Sequence, residues 1–415
     1  MAGIEVQGRR RDKMLSVEEA RRRVLETIRP LEPVEVPLLE ALGMTLADDV
    51  VAVNDIPPFD NSAMDGYAVR AEDVSGAAED SPVELEVLGD LPAGYTAEVA
   101  VGPGQALRIM TGAPLPPGAD AVVPVEVTRA EEGRVLVVEG VSRGDNVRRA
   151  GEDVRAGERV IAAGTPVGPA ELGMLASLGY ARVRCFRRAV VGIISTGDEL
   201  VEVEAELPPG KIRDSNSYTV YGMVREAGGE PLRLGIVRDD AALLERTIMD
   251  NLDRVDLFVT SGGVSVGDYD MVKDVLGKLG EMNFWKVAMR PGKPQAFGHI
   301  GGKPLFGLPG NPVSVMVSFE QFVRPALLKM MGRSSLFRPQ VTAVLDAPIG
   351  RRTGRTEFIR VIAEWRDGRW HARPTGPQGS GILKSMVLGN ALAVLPEEVG
   401  RLEPGSEVTI QLLRP

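Results

Sequence analysis

Between residues 188 and 332, short apolar runs alternate with segments whose apolar residues recur every three or four positions. That alternation predicts strands and helices in turn. The strands fall at Ala189–Ile194, Leu232–Val237, Leu257–Val259, Phe284–Met289 and Lys303–Leu308. One helix buries Val220, Met223, Val224 and Ala227, with Asp214-Ser215-Asn216-Ser217 as its cap, and a second buries Leu244 and Ile248. A third carries Val272, Val275, Leu276 and Leu279, and a long apolar fourth is opened by Gly310-Asn311-Pro312, with proline at its first position. This order predicts a mostly parallel sheet in three layers with right-handed connections. Its centre is DLFVTSGGVSVGDYDMVKD, 256–274: a strand buried on both faces, a break at Ser261-Gly262-Gly263, and Asp268 as the N-cap of the next helix.

The flanking chain reads differently. Ser16 and Glu19 form a capping box for a helix that buries Val17, Ala20, Val24 and Ile28 and stops at Pro30. Leu38–Val53 is a second helical or mixed piece. Residues 82–142 read as β, with Gly and Pro between the runs. Residues 143–185 turn charged and turn-rich before a short helix, PAELGMLASLGY. The expected division is a domain in two pieces, 15–53 and 143–185, with a β-rich domain (54–142) inserted between them. An α/β domain over 186–333 and a small all-β domain over 334–415, barrel or sandwich, complete it. Asp367-Gly368 is a hairpin turn in the last.

Composition narrows the classes. A chain of 415 residues with 44% hydrophobic and 26% charged residues is globular, and a net charge of −10 argues against nucleic-acid binding. No run is apolar enough for a membrane span, and MAGIEVQGRRRDKM lacks the apolar core of a signal peptide. The single cysteine, Cys185, rules out an internal disulfide and fits a reducing, cytoplasmic setting. It reads as a packed small hydrophobe. With only His299 and His371, a His-rich zinc site is out of reach, so any metal is a hard one such as Mg2+ held by carboxylates.

Polar residues gather where the α/β strands end, and strand ends on one edge of an open sheet face one crevice. They are Asp198 and Glu199, Asp239 and Asp240, the loop Ser261–Asp270, and Lys286, Arg290 and Lys293. Singly, Asp268 and Asp240 read as helix caps. Together the set suits an anion with Mg2+: two unit charges 4 Å apart repel by about 4 kcal/mol at an effective dielectric near 20, and a divalent cation reverses the sign. In 54–71 a polar loop presents Asp60, Ser62 and Asp65 to a ligand or is a plain hairpin turn, and the pattern favours the turn. In 110–118 a proline-stiffened loop offers Thr111 to an oxyanion or merely joins two strands.

FDNSAMDGYAVR, MTGAPLPPGAD, GIISTGDEL, DSN, TSGGVSVGDYD, RPGKP and GLPGNPVSV, in this order, resemble the MoeA/gephyrin family of molybdopterin molybdenumtransferases, from about Leu15 to the end. The resemblance implies a central three-layer α/β molybdopterin-binding domain, an inserted β-rich domain, a discontinuous elongated N-terminal domain and a C-terminal small β-barrel. It implies a homodimer with active sites shared between subunits, and a partnership with the molybdopterin adenylyltransferase. The implied substrates are adenylyl-molybdopterin and molybdate, and Mg2+-dependent cleavage releases AMP as molybdenum enters. Matched positions give Asp65, Thr111, Glu199, Asp239 and Asp270 catalytic roles, the last three as metal ligands. Lys286, Arg290 and Lys293 match anion-holding bases, and Arg360 and Ser380 the C-terminal contribution. Ser195, Thr196, Gly197, Asp214, Ser215, Asn216, Ser261, Gly262, Gly263, Ser265, Pro291, Pro309 and Asn311 complete the substrate-binding set. Members of the family often carry Lys where this chain has Arg290. A non-catalytic molybdopterin carrier or scaffold is the alternative, and adenylyl transfer to molybdopterin a third reading.

Overall fold

The computed structural model describes residues 14–238, 240–262, 275, 277–350 and 354–414. Its centre is a six-stranded sheet. In spatial order the strands are Glu230–Val237, Val190–Thr196, Leu257–Ser261, Lys303–Leu308, Pro294–Ile300 and Gly280–Lys286. The first four run parallel, as the alternating pattern predicts, whereas Pro294–Ile300, a strand that pattern does not give, runs against them. Leu257, Phe258 and Val259 are fully buried, each burial being worth roughly 1.5–3 kcal/mol. Helices Asn216–Glu226 and Ala241–Met249 follow the first two strands. The Asp240 side chain accepts from Ala242 and Leu243 N–H and so caps the second.

Some expectations change. The Phe284–Met289 strand is Gly280–Lys286 instead, and the chain breaks at Val287. There Val287 N–H turns to Lys293 O, Leu15 bridges in from the N-terminal segment, and Met289–Arg290 leaves to pair with the C-terminal domain. The long helix after Asn311 runs Pro312–Ser318 and Arg324–Met330, joined by a π-helical turn at Phe319–Val323. Pro325 has no N–H to give the regular ladder just beyond that turn. Leu38–Val53 holds only a single 3-10 turn, Leu38–Ala41, and two-residue strands. The first helix, Val17–Thr27, ends before Pro30, and Ile28 is already extended. Ser16 caps Glu19 N–H, but the Glu19 carboxylate bonds Arg22 and Arg23, so the reciprocal half of the box is not made.

Around the sheet, Pro33–Pro37 pairs with Arg182–Phe186, and Val50–Val51 with Arg159–Ile161. Cys185 is fully buried in that first pairing, and burial pushes its thiol up to about 11. Between these segments lies a second six-stranded sheet built from 66–137. At the C-terminal end, Thr356–Arg366, Arg369–Pro374, Gln340–Leu345, Glu407–Leu412 and Ala391–Leu395 close on themselves as a five-stranded barrel. Asp367 and Gly368 both have positive φ, 51° and 74°, as a tight hairpin requires. Among the described residues no helix is long and apolar enough to cross a membrane.

One ion pair, its aspartate buried and its arginine partly exposed, anchors the start of the sheet. Both Asp256 oxygens accept from Arg187 at 2.6 Å, and Oδ2 also accepts Val190 N–H at 3.0 Å. Burial pushes the Asp256 carboxyl up, yet these hydrogen bonds outweigh it and hold the group below the usual aspartate range. A carboxyl lowered on folding stabilises fully above its unfolded value and loses that contribution as pH falls through its folded value. Asp256→Asn should therefore cost about 3 kcal/mol at pH 7 in urea unfolding. The difference from wild type should shrink below about pH 4. A midpoint unchanged at pH 7 would show that the pair carries no such weight.

Candidate active site between the sheet edge and the barrel

Strand register sets the ends of the sheet level. Ser195 lies opposite Ser261, Ser261 opposite Leu308, and Thr196 opposite Val237. Lys286 lies opposite Pro294 and Ala296 opposite Gly307, so Lys286 and Lys293 reach the same edge. Glu199, exposed just beyond Thr196, turns its carboxylate back over Gly197: a Cβ there would come within 2.3 Å of Glu199 Oε2.

Several nominated side chains turn inward. Ser195 and Ser261 are buried and face each other, Oγ to Oγ, at 3.3 Å, while Thr196 Oγ1 donates to Ser261 O. The N–H groups of Gly197 and Gly262 donate to Val237 O and Leu308 O, so neither is directed at a ligand. Gly262 is needed for shape: its φ is +95°, and a Cβ would sit 2.5 Å from Thr196 O. Asp214 is buried and accepts Ser217 N–H, capping the helix for which Ser215 makes no side-chain bond. Its Oδ2 has no hydrogen-bond partner. Asn216 Nδ2 donates to Gly310 O at 2.8 Å, tying this helix to the Pro309–Asn311 turn, where Pro309 is buried and Asn311 exposed.

From that turn a chain of contacts crosses into the barrel. Val313 N–H donates to Ser380 O at 3.0 Å, and Gly379 O accepts from Arg360 Nη2 at 3.1 Å. Arg360 is only 2% exposed, and its other side-chain bond runs from Nε to Ser385 Oγ. Burial, with the neighbouring charge of Arg290, pushes its guanidinium down to about 10. Arg360, Arg290, Pro291, Glu357, Gly376 and Gln378 line a cavity of about 160 Å³. The RPGKP loop is clamped there: Gln295 Nε2 donates to Gly292 O and to Ser318 Oγ, each at 2.6 Å.

Asp65 and Thr111 lie elsewhere, on the inserted β sheet. Asp65 Oδ1 accepts both the N–H and the hydroxyl of Thr111, at 2.8 and 2.7 Å, and these bonds hold the carboxyl below its usual range. Among the described residues, no hydrogen bond joins 57–147 to 190–330. Asp239, Gly263, Ser265, Asp268 and Asp270 lie outside the described residues, as do Val272 and Leu276. Among those described, no group of three or more His, Cys, Asp or Glu can hold a metal ion. Sequence reasoning missed Glu357, Gln378, Gln295 and Ser318. The available signal was two charged residues, Glu357 and Arg360, inside the otherwise apolar run EFIRVIA.

Three family models match along the chain: MoeA N-terminal region (domain I and II) at 15–179, probable molybdopterin binding domain at 192–329, and MoeA C-terminal region (domain IV) at 342–413. Molybdopterin molybdenumtransferase 2 of Mycobacterium tuberculosis is 43% identical over 96% of this chain and 99% of that protein. The molybdopterin molybdenumtransferase of Bacillus subtilis is 39% identical over 96% and 94%. A crystal structure of the molybdopterin biosynthesis moeA protein from Pyrococcus horikoshii OT3 superposes with a TM-score of 0.84 at 35% identity, covering 96% of this chain and all of that one. With its sheet, its barrel and nearly its whole length in common with these proteins, the chain belongs to the MoeA family.

Proposed function

We propose that this chain acts in molybdenum cofactor biosynthesis as a molybdopterin molybdenumtransferase. It inserts molybdenum from molybdate into adenylyl-molybdopterin and releases AMP. The observation that carries the reading is Arg360: a guanidinium buried, among the described residues, with only neutral acceptors, on the wall of a cavity that also holds Arg290 and its partner Glu357. A charge removed from water calls for a counter-charge, and a tetrahedral oxyanion supplies it. The names of the relatives support the same chemistry.

In this reading Arg360 and Arg290 hold molybdate, and Lys286 and Lys293 meet the phosphates of the nucleotide portion. The edge made by Gly262, Asn216 and Asn311, with Ser380 beside it, receives the pterin. Mg2+ is commonly held by one or two carboxylates together with phosphate oxygens and water. The exposed Glu199 carboxylate at this edge fits such a donor set, with Asp239 and Asp270 beside it in the family pattern. Bound there, the ion supplies positive charge between pyrophosphate and acids. Asp65 and Thr111, on a unit with no hydrogen bond to this sheet among the described residues, are assigned to a site completed by a second copy of the chain. The same reading divides the chain at 54, 143, 186 and 334.

The purified protein should release AMP from adenylyl-molybdopterin only when molybdate and Mg2+ are both present. Pterin binding without AMP release would instead indicate a carrier. Glu199→Gln should lower kcat by on the order of a hundredfold while leaving pterin affinity within about twofold. Equal turnover would remove Glu199 from any part in the chemical step. Arg360→Ala should raise the KM for molybdate by on the order of a hundredfold. A KM unchanged in a folded variant would place the oxyanion elsewhere.

A further inference from the structure

The cavity that holds Arg290 and Arg360 also has an acid in its wall. Glu357 is only 7% exposed, and strand pairing sets it directly opposite Arg290. Arg290 Nη1 lies 3.2 Å from Glu357 Oε1. Arg360 stands three residues further along the same strand and makes its side-chain bonds to Ser385 and Gly379, not to this carboxylate. A buried carboxylate beside an anion weakens binding by direct repulsion, so a site built only for affinity would lack it.

We propose that Glu357 is a positioning residue for the oxyanion: it holds the Arg290 guanidinium at the cavity wall and sets the local charge so that a doubly charged tetrahedral anion binds yet still exchanges. This rests on the reading of the cavity as the molybdate site. Two guanidinium groups and one carboxylate leave a single net positive charge, which a dianion overcompensates. With the carboxylate neutral, two positive charges meet two negative ones and the anion is retained. Glutamine and alanine separate the two parts of this role. Glutamine keeps an oxygen that accepts from Arg290 but removes the charge, whereas alanine removes both, leaving Arg290 free to swing into water.

Binding of molybdate alone is measured by calorimetry on the full-length wild type, Glu357→Gln, Glu357→Ala and Arg360→Ala, with thermal melts to show that each is folded. Glu357→Gln should bind molybdate on the order of tenfold more tightly than wild type. In turnover the KM for molybdate and kcat should fall together, as expected when the bound substrate is stabilised more than the transition state. Glu357→Ala should bind at least about fivefold more weakly than Glu357→Gln, because the pre-set guanidinium is lost. If Glu357→Gln binds no better than wild type while Arg360→Ala still abolishes binding, the charge-setting role is wrong. If Gln and Ala variants bind alike, the positioning role is wrong. Binding in the wild type that ignores Arg360→Ala overturns both this proposal and the reading of the cavity beneath it.

Discussion

A guanidinium that folding removes from water without a carboxylate beside it costs several kcal/mol, and the protein must arrange its surroundings to bear that cost. Arg360 is such a group, and its neighbours are built around it. Gly379 O and Ser385 Oγ accept from its side chain, Gln378 Oε1 accepts its backbone N–H, and Gln378 Nε2 returns to its carbonyl. The loop from 375 to 380 is thus tied to one residue, through both its main chain and its side chain. The same loop passes Ser380 O to Val313 N–H, so the barrel meets the α/β unit where the charge is buried. Among the described residues, Arg360 bonds only neutral dipoles while the Glu357 carboxylate in the same cavity is paired with Arg290, so the charge of Arg360 lacks a partner of its own and an arriving anion supplies one.

The geometry of that meeting depends on few connections. Met289 and Arg290 leave the edge of the central sheet and pair in parallel with Thr356 and Glu357 of the barrel, extended by Thr356 N–H to Ala288 O at 2.9 Å. Farther along, the π turn aims Glu320 and Gln321 outward from the helix. Glu320 takes both arms of Arg338, and Gln321 bonds Gln411 of the barrel and Arg21 of the first helix. π turns are rare and gather at such functional junctions. The barrel is therefore held to the α/β unit by a two-residue strand pairing at the cavity and by a polar lock away from it. Small shifts at either would move Arg290 relative to Arg360.

Much of this was legible in the chain. The sheet follows from apolar runs at Leu257–Val259 and Lys303–Leu308, because strands buried on both faces need uninterrupted hydrophobicity. The edge that carries Glu199 follows from parallel order, but Lys286 and Lys293 reach it through the antiparallel strand Pro294–Ile300, which the pattern does not give. Other features are set by partners distant in sequence, which no local period encodes. Ser195, Thr196 and Ser261 read as ligand contacts in a polar, glycine-rich context, yet they bond each other across strands whose starts are more than sixty residues apart. The resemblance puts Gly262 in the substrate-binding set, but its N–H continues the sheet to Leu308. The break at Val287 was hidden because the residue that pairs there, Leu15, arrives from the other end of the chain. Glu357 was missed for the same reason: its partner, Arg290, lies 67 residues away.

Arginine rather than lysine at 290 fits this arrangement on physical grounds. A lysine ammonium is one compact charge, and a carboxylate about 3 Å away would claim most of its field. A guanidinium spreads its charge over a plane and carries five N–H donors in a fixed fork. In this structure one nitrogen, Nη1, faces Glu357 while the side chain keeps 44% of its surface exposed. The remaining donors point along other edges of the fork. Arg290 can thus be held and still bind, whereas lysine at this position would have to exchange one partner for the other. The acid opposite it and the arginine are two halves of one device, and the strand pairing between them keeps the halves aligned.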